Sequence, residues 1–186
     1  MRFVNVIAAV GTAVGATFDF GLAQGAEPAN WVPENWVKIT SPEAGFSASF
    51  PAQPQVERSS HGQAGEAYQS TRHTAVAGDM AMAVDYSVYR DPATRIDLQQ
   101  VMTGFAAAMQ GKVTARWERS YQRSFGGALP MLEYTVQNGA TICRAGAIAD
   151  GPAVYQVIGC ANKAAEMPTD IERMLSSFTL MPKTAS

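Results

Sequence analysis

The chain has 186 residues, of which 47 % are hydrophobic and 16 % are charged, a balance typical of one folded domain with its own core. The formal net charge is −2, and the 14 lysine and arginine residues are scattered along the chain. Because no basic run and no basic stripe interleaved with aromatic residues occurs, the sequence argues against nucleic acid and anionic membrane surfaces as partners.

The first 23 residues have the pattern of a secretory signal. Arg2 supplies one positive charge, and the uncharged apolar stretch after it is shorter than the roughly 20 residues that a membrane span needs. Small residues precede a cleavage site after Ala23, with Ala26 as the alternative site. We therefore predict a soluble periplasmic or secreted protein without stable membrane insertion after cleavage, the alternative being an uncleaved anchor.

The mature chain is expected to begin with an irregular, proline-containing lead-in over residues 24–35, followed by a single domain over residues 36–182. Alternation of apolar and polar residues predicts that the domain starts with strands, the last two of which form a hairpin. These strands cover residues 35–40, 46–50, 67–76 and 80–89.

The hydrophobic period then changes from that of a strand to that of a helix. Apolar residues at helical spacing run from Leu98 to Met109, and either Thr94 or Asp97 can cap the start. Gly111 follows at the place where a glycine often ends a helix. The sequence therefore predicts one helix in the middle of the domain.

Further strands and a second helix complete the domain. Strands are predicted over residues 113–121 and 131–137 and in a hairpin that carries both cysteines, and a helix is predicted over residues 168–178. In that helix, Thr169 and Glu172 have the spacing of a capping box. The order of strands, helix, strands and helix, joined by short connections, predicts an α+β domain in which helices pack on an antiparallel sheet.

Four segments of the domain carry a resemblance to a known family, and they are residues 45–54, 83–92, 153–159 and 171–180. These segments resemble the PsbP-like α/β/α sandwich family of small exported proteins, whose best-known member is an extrinsic subunit of photosystem II. The resemblance implies an antiparallel sheet between helices and an accessory or binding role without catalysis. It implies no site residues, since the family's functional residues are specific to subgroups.

The two cysteines, Cys143 and Cys160, lie on either side of a predicted four-residue hairpin loop, residues 150–153. If Ala149 and Val154 close this loop, the same register places the two cysteines directly opposite each other on one face. Directly opposite residues are close enough for a disulfide, and an exported chain meets an oxidising compartment. We therefore predict a structural disulfide bond between these cysteines.

Two other residues are candidates for contact with a ligand or partner. Arg144 shares a strand face with the apolar Ile142 and Ile148, so its guanidinium could bind an anion, although its stem could equally pack while its head reaches water. Trp31, in the lead-in, is available for a partner surface. Trp117, by contrast, alternates with polar residues in a strand and is predicted to lie in the core.

The sequence offers little for catalysis or metal binding. The two histidines, His61 in a predicted loop and His73 on the polar face of a predicted strand, lack the spacing of a metal site. Glu118 and Glu133 lie in neighbouring predicted strands and could form a catalytic carboxylate pair, but ion pairing with a nearby arginine is the simpler interpretation. The sequence also lacks the nucleophile motifs of serine hydrolases.

The function predicted from the sequence is a non-catalytic, exported accessory module that needs no cofactor and binds an envelope protein or a small ligand. The alternative is an envelope enzyme, with thiol redox chemistry at Cys143 and Cys160 as its mechanism. A redox pair usually has a C-x-x-C spacing at the start of a helix, whereas sixteen residues of sequence separate these cysteines and both lie in predicted strands.

Overall fold

The computed structural model describes residues 36–62, 67–162 and 168–183, so the predicted signal, the lead-in and Trp31 lie outside the described residues. The described part contains ten strands and two helices, which are numbered in chain order. They are β1 Val37–Ser41, β2 Phe46–Phe50, β3 Gln55–His61, β4 Tyr68–Ala77, β5 Met80–Tyr89, α1 Leu98–Ala108, β6 Lys112–Tyr121, β7 Leu129–Asn138, β8 Thr141–Asp150, β9 Ala153–Asn162, α2 Thr169–Ser177 and β10 Thr179–Leu180.

The prediction of an α+β domain with helices packed on one sheet, in the manner of an α/β/α sandwich, is wrong. Strands make up 57 % of the structure and helices only 14 %, and the strands form two antiparallel sheets, so the fold is predominantly β. The physical reason is that the apolar alternation of a strand does not reveal its partner. The short strands β1 and β2 pair with each other and with β10, and they form a second sheet of their own.

The larger sheet has seven strands in the order β3-β4-β5-β9-β8-β7-β6. Most neighbours are consecutive hairpins, but β9 pairs with β5, from which it is separated along the chain by α1 and three strands. Residues of β9 are buried on both faces of the sheet, as expected for a central strand. By contrast, β3 and β6 are the two edges, and most of their residues are exposed.

The small sheet and α2 cover one face of the large sheet. Phe46 of β2 stacks on Phe178, with ring centroids 5.7 Å apart, and the Tyr155 hydroxyl of β9 donates a hydrogen bond to the Ala44 carbonyl oxygen, 2.7 Å away. Five alternating apolar residues of β5 share one face of the strand and contribute to this core. They are Met80, Met82, Val84, Tyr86 and Val88.

Helix α1 packs on the opposite face, against β6, β7 and β8. Asp97 caps its start by accepting a hydrogen bond from the Gln99 backbone N–H, as the sequence allowed. Its end differs from the prediction, because Gln110 rather than Gly111 has the positive φ, at 49°. Gly111 is needed for a close approach instead, since a Cβ there would lie 2.6 Å from Val136 Cγ1.

Helix α2 does not begin with the predicted capping box. Pro168 occupies the N-cap position, and no side chain makes a capping hydrogen bond there. The Glu172 side chain instead accepts a hydrogen bond from Arg144 of the large sheet, so it does not cap the helix. The helix packs closely on β9 because Gly159 leaves room for the side chain of Ile171.

Candidate functional site

The predicted disulfide between Cys143 and Cys160 is confirmed. The two residues are directly opposite each other in the β8–β9 register, their Cα atoms are 4.0 Å apart, and both are fully buried in the core beneath α1. The turn is tighter than predicted, because Asp150 and Ala153 pair and leave only Gly151 and Pro152 in the loop. Thiol–disulfide exchange needs an attacking thiolate to reach a sulfur atom, so this geometry fits a structural bond better than a redox pair.

Arg144, predicted to contact a ligand or partner, is neutralised by carboxylates of its own chain. Its guanidinium donates a hydrogen bond to Glu172 of α2, and its Nη2 lies 3.9 Å from Oε2 of Glu133 on β7. The same Glu133 oxygen lies 3.5 Å from Nε of Arg119 on β6. This alternation of charges joins α2 to the sheet, so Arg144 has a structural role in this arrangement.

The prediction that Trp117 lies in the core is wrong, since 46 % of its surface is exposed. A β-bulge between Val113 and Ala115 changes the register of β6, and the strand is an edge of the large sheet. Trp117 therefore has an open flank, and its cross-strand neighbour is Glu133.

The histidine and carboxylate pairs considered from the sequence do not come together. His61 is the last residue of β3 and stacks on Tyr68, whereas His73 is buried between the two sheets, edge-on to Phe46, rather than on a polar face. Glu118 is opposite Leu132 and so lies on the other face of the sheet from Glu133. Among the described residues, no three His, Cys, Asp or Glu side chains form a group that could hold a metal ion.

The strongest candidate site was not predicted, and it is a row of polar side chains on the face of the large sheet that carries α1. We call Arg72, Asp85, Gln156 and Tyr134 the polar row. Arg72 of β4, Asp85 of β5 and Gln156 of β9 are direct cross-strand neighbours, and Tyr134 reaches the row from β7. Asp85 and Gln156 are two of the few buried polar side chains of the described domain.

The geometry within the polar row is close and directional. Arg72 donates two parallel hydrogen bonds to the Asp85 carboxylate, of 2.7 and 2.9 Å, and Gln156 Nε2 donates one of 2.7 Å to the Tyr134 hydroxyl oxygen. Solvent reaches 16 % of the side-chain surface of Arg72 and 12 % of that of Asp85. The row therefore places a cationic and an anionic group side by side at a mostly buried location.

The electrostatics of the polar row reflect this low solvation. Burial opposes the charge on Arg72, but its hydrogen bonds to Asp85 and the charges of Asp85 and Glu57 outweigh burial and raise the pKa of Arg72. Burial and the negative charge of Asp85 raise the pKa of Tyr134, although its hydrogen bond from Gln156 acts in the opposite direction. At neutral pH the row thus contains one fixed ion pair and one neutral phenol.

Comparison with known proteins adds little to this description. No family model matches the chain, and no curated protein matches it. A solved structure from Pseudomonas aeruginosa, PA94, described as a protein of unknown function and putative regulator, has 15 % sequence identity and a TM-score of 0.32. That likeness covers 74 % of this chain and 86 % of the other, and its TM-score is too low to show a shared fold. The resemblance to the PsbP-like family stays a prediction.

Within the described ranges, neither helix has the length and apolar character that crossing a membrane requires.

Proposed function

We propose that the protein is a non-catalytic, exported binding module of the cell envelope that holds a small polar ligand at the polar row. The observation that carries the proposal is the nearly buried, bidentate ion pair between Arg72 and Asp85 in the middle of a sheet face. The proposal concerns binding alone, because the row pairs its two charged groups with each other and contains no nucleophile beside a base.

Placing the charges of Arg72 and Asp85 in a core costs hydration free energy. A buried ion pair gains about as much from its Coulomb attraction as it loses in hydration, so apolar residues of similar size are often as stabilising or more so. Stability alone therefore gives little reason for Arg72 and Asp85 at this place. A small ligand that offers both a donor and an acceptor is chemically complementary to an adjacent guanidinium and carboxylate.

Export is supported by two independent features of the chain. The first 23 residues have the pattern of a secretory signal, and the Cys143–Cys160 disulfide is a bond that persists in oxidising compartments. The resemblance to the PsbP-like family, which implies an exported accessory role, is in line with this proposal.

The proposal is tested by native mass spectrometry of the protein isolated from the cell envelope, in wild-type form and as two variants. In the first, Arg72→Leu/Asp85→Leu, both charges of the row are replaced by apolar groups. In the matched control, Arg123→Leu/Asp150→Leu, another partly buried ion pair with a distance of 3.4 Å is removed elsewhere.

We expect a bound small molecule on the wild type and on the control, and its loss from the first variant. The first variant should keep its fold, because removing both partners leaves no uncompensated charge. A wild type without any bound molecule, one that instead retains a protein, or a first variant that is folded and still loaded would each overturn the proposal.

A further inference from the structure

Strand β6 ends the large sheet and presents an open edge. Eight of its ten residues are exposed, and within the described ranges its hydrogen-bonded neighbour is β7 alone. Such an edge carries unpaired backbone N–H and C=O groups, which can pair with another strand. This surface is separate from the polar row, so an interface at β6 is independent of the proposed function.

The centre of β6 carries two opposite charges without an ionic partner among the described residues, Arg116 and Glu118. Arg116 and Glu118 lie on the face of α1, where Gln99 contacts both: Arg116 donates a hydrogen bond of 2.9 Å to Gln99, and Gln99 donates one of 3.4 Å to Glu118. Neither charge is in an ion pair with any residue of the described part. Between them, Trp117 points to the other face and is 46 % exposed.

We propose that two copies of this chain pair through antiparallel β6 edges, with the two-fold axis at Trp117. In this register Arg116 of each copy is directly opposite Glu118 of the other, and the two Trp117 side chains meet at the centre. A two-fold interface requires a surface that is complementary to itself, and this strand meets that condition at its centre. Each cross-strand pair of opposite charges, and the aromatic pair, stabilises such a ladder.

The charges select this register over its neighbours. A two-fold axis perpendicular to the sheet keeps each side chain on its own face, so the alternatives are shifts by two residues. One such shift places Arg116 opposite Arg116 and the other places Glu118 opposite Glu118, and like charges directly opposite each other are destabilising. Arginines on an edge strand normally discourage pairing, but in the central register each one meets a carboxylate.

A single strand pair forms an interface at the small end of the known range, so we expect a reversible dimer with a dissociation constant in the micromolar range. Sedimentation equilibrium over a range of concentrations measures this constant for the full mature chain. The ion pairs are exposed at the rim, so the dimer should weaken as the salt concentration rises.

Charge reversal gives the decisive test. In Arg116→Glu the centre presents two carboxylates to two carboxylates, and in Glu118→Arg it presents two guanidinium groups to two others, so each variant alone should dimerise at least about tenfold more weakly. An equimolar mixture of the two variants restores every opposite-charge pair, and it should associate about as tightly as the wild type. The control Arg58→Glu, on the opposite edge strand, should leave the dissociation constant unchanged.

The mixture also protects the test against misfolding, since a variant that fails to fold cannot recover association in a mixture. A wild type that stays monomeric up to several hundred micromolar would overturn the proposal. So would single variants that dimerise as well as the wild type, or a mixture that associates no better than its components.

Discussion

Removing the disulfide should destabilise the protein by about 3 kcal/mol. The bond joins residues separated by 17 positions, and closing a loop of this size lowers the entropy of the unfolded chain by an amount worth about 3 kcal/mol at 25 °C. Cys143→Ala, Cys160→Ala and the double variant all lose this one restraint. We therefore expect the three variants to be destabilised to a similar extent, within about 1 kcal/mol of one another.

Urea unfolding under non-reducing conditions measures this loss, with reduced wild type as a control that keeps both sulfur atoms. The unfolded chain is less compact without the bond and exposes more surface, so the dependence of the unfolding free energy on urea should become steeper in the variants. A loss below about 1 kcal/mol, or two free thiols in the non-reduced protein by alkylation and mass measurement, would refute the reasoning.

The same bond should resist reduction in the folded protein, because both cysteines are fully buried. Treatment with a phosphine reductant and an alkylating agent should label the cysteines in concentrated urea but leave them unlabelled under native conditions. Rapid labelling of the native protein would contradict a structural role and favour thiol redox chemistry.

Two further predictions concern the face of the large sheet that packs against the small sheet and α2. Burial, together with the nearby charge of Arg58, lowers the pKa of His73 despite Asp85, so the unfolded chain takes up this proton first and stability should fall as the pH drops below about 6.5. Urea unfolding at pH 7.5 and 5.0 should show a smaller loss in His73→Leu than in the wild type, and an equal loss would contradict this. A Cβ in Gly159→Ala would overlap Ile171, so we expect a loss of about 1–3 kcal/mol by thermal or urea unfolding. Gly127→Ala, where the space is open, is the control, and a Gly159 variant as stable as this control would be evidence against the tight packing of α2.

Hairpins were the part of the fold that the sequence predicted best. A short turn determines which residues face each other for the whole length of both strands, so the predicted loop at residues 150–153 was enough to place Cys143 opposite Cys160. Shortening the loop from four residues to two left this register unchanged. The apolar face of β5 was predictable for the same reason, because alternation within one strand is a local property.

The division into two sheets could not be predicted in this way. Strands β2 and β10 pair although more than 120 residues of chain separate them, as Ser47 and Thr179 show. Nor does local alternation show where a strand stands in its sheet. Trp117 alternates like a core residue, but its strand is an edge and a bulge changes its register, so the side chain is exposed.

Of the cross-strand pairs in the polar row, the sequence contains a local signal for Arg72 and Asp85 but not for Asp85 and Gln156. The Gly78–Asp79 turn of the β4–β5 hairpin places Arg72 opposite Asp85 by the same reasoning that applied to the cysteines. The neighbour of Asp85 on its other side is Gln156, and that contact depends on β5 pairing with β9, which is a tertiary event without a local signal. A site assembled from strands distant in sequence therefore becomes visible only once the sheet order is known.

The proposed pairing of β6 with a second copy differs from the polar row, because it involves a single segment of the sequence. Both sides of such an interface come from the same few residues, so its complementarity can be examined within one segment of the sequence. Arg116, Trp117 and Glu118 have the required symmetry of charge about the central tryptophan. What the sequence alone could not supply was the exposure of that segment, since the same residues in a central strand would already have neighbours on both sides. The open edge of β6 turns a pattern of charges into a surface that can bind its own copy.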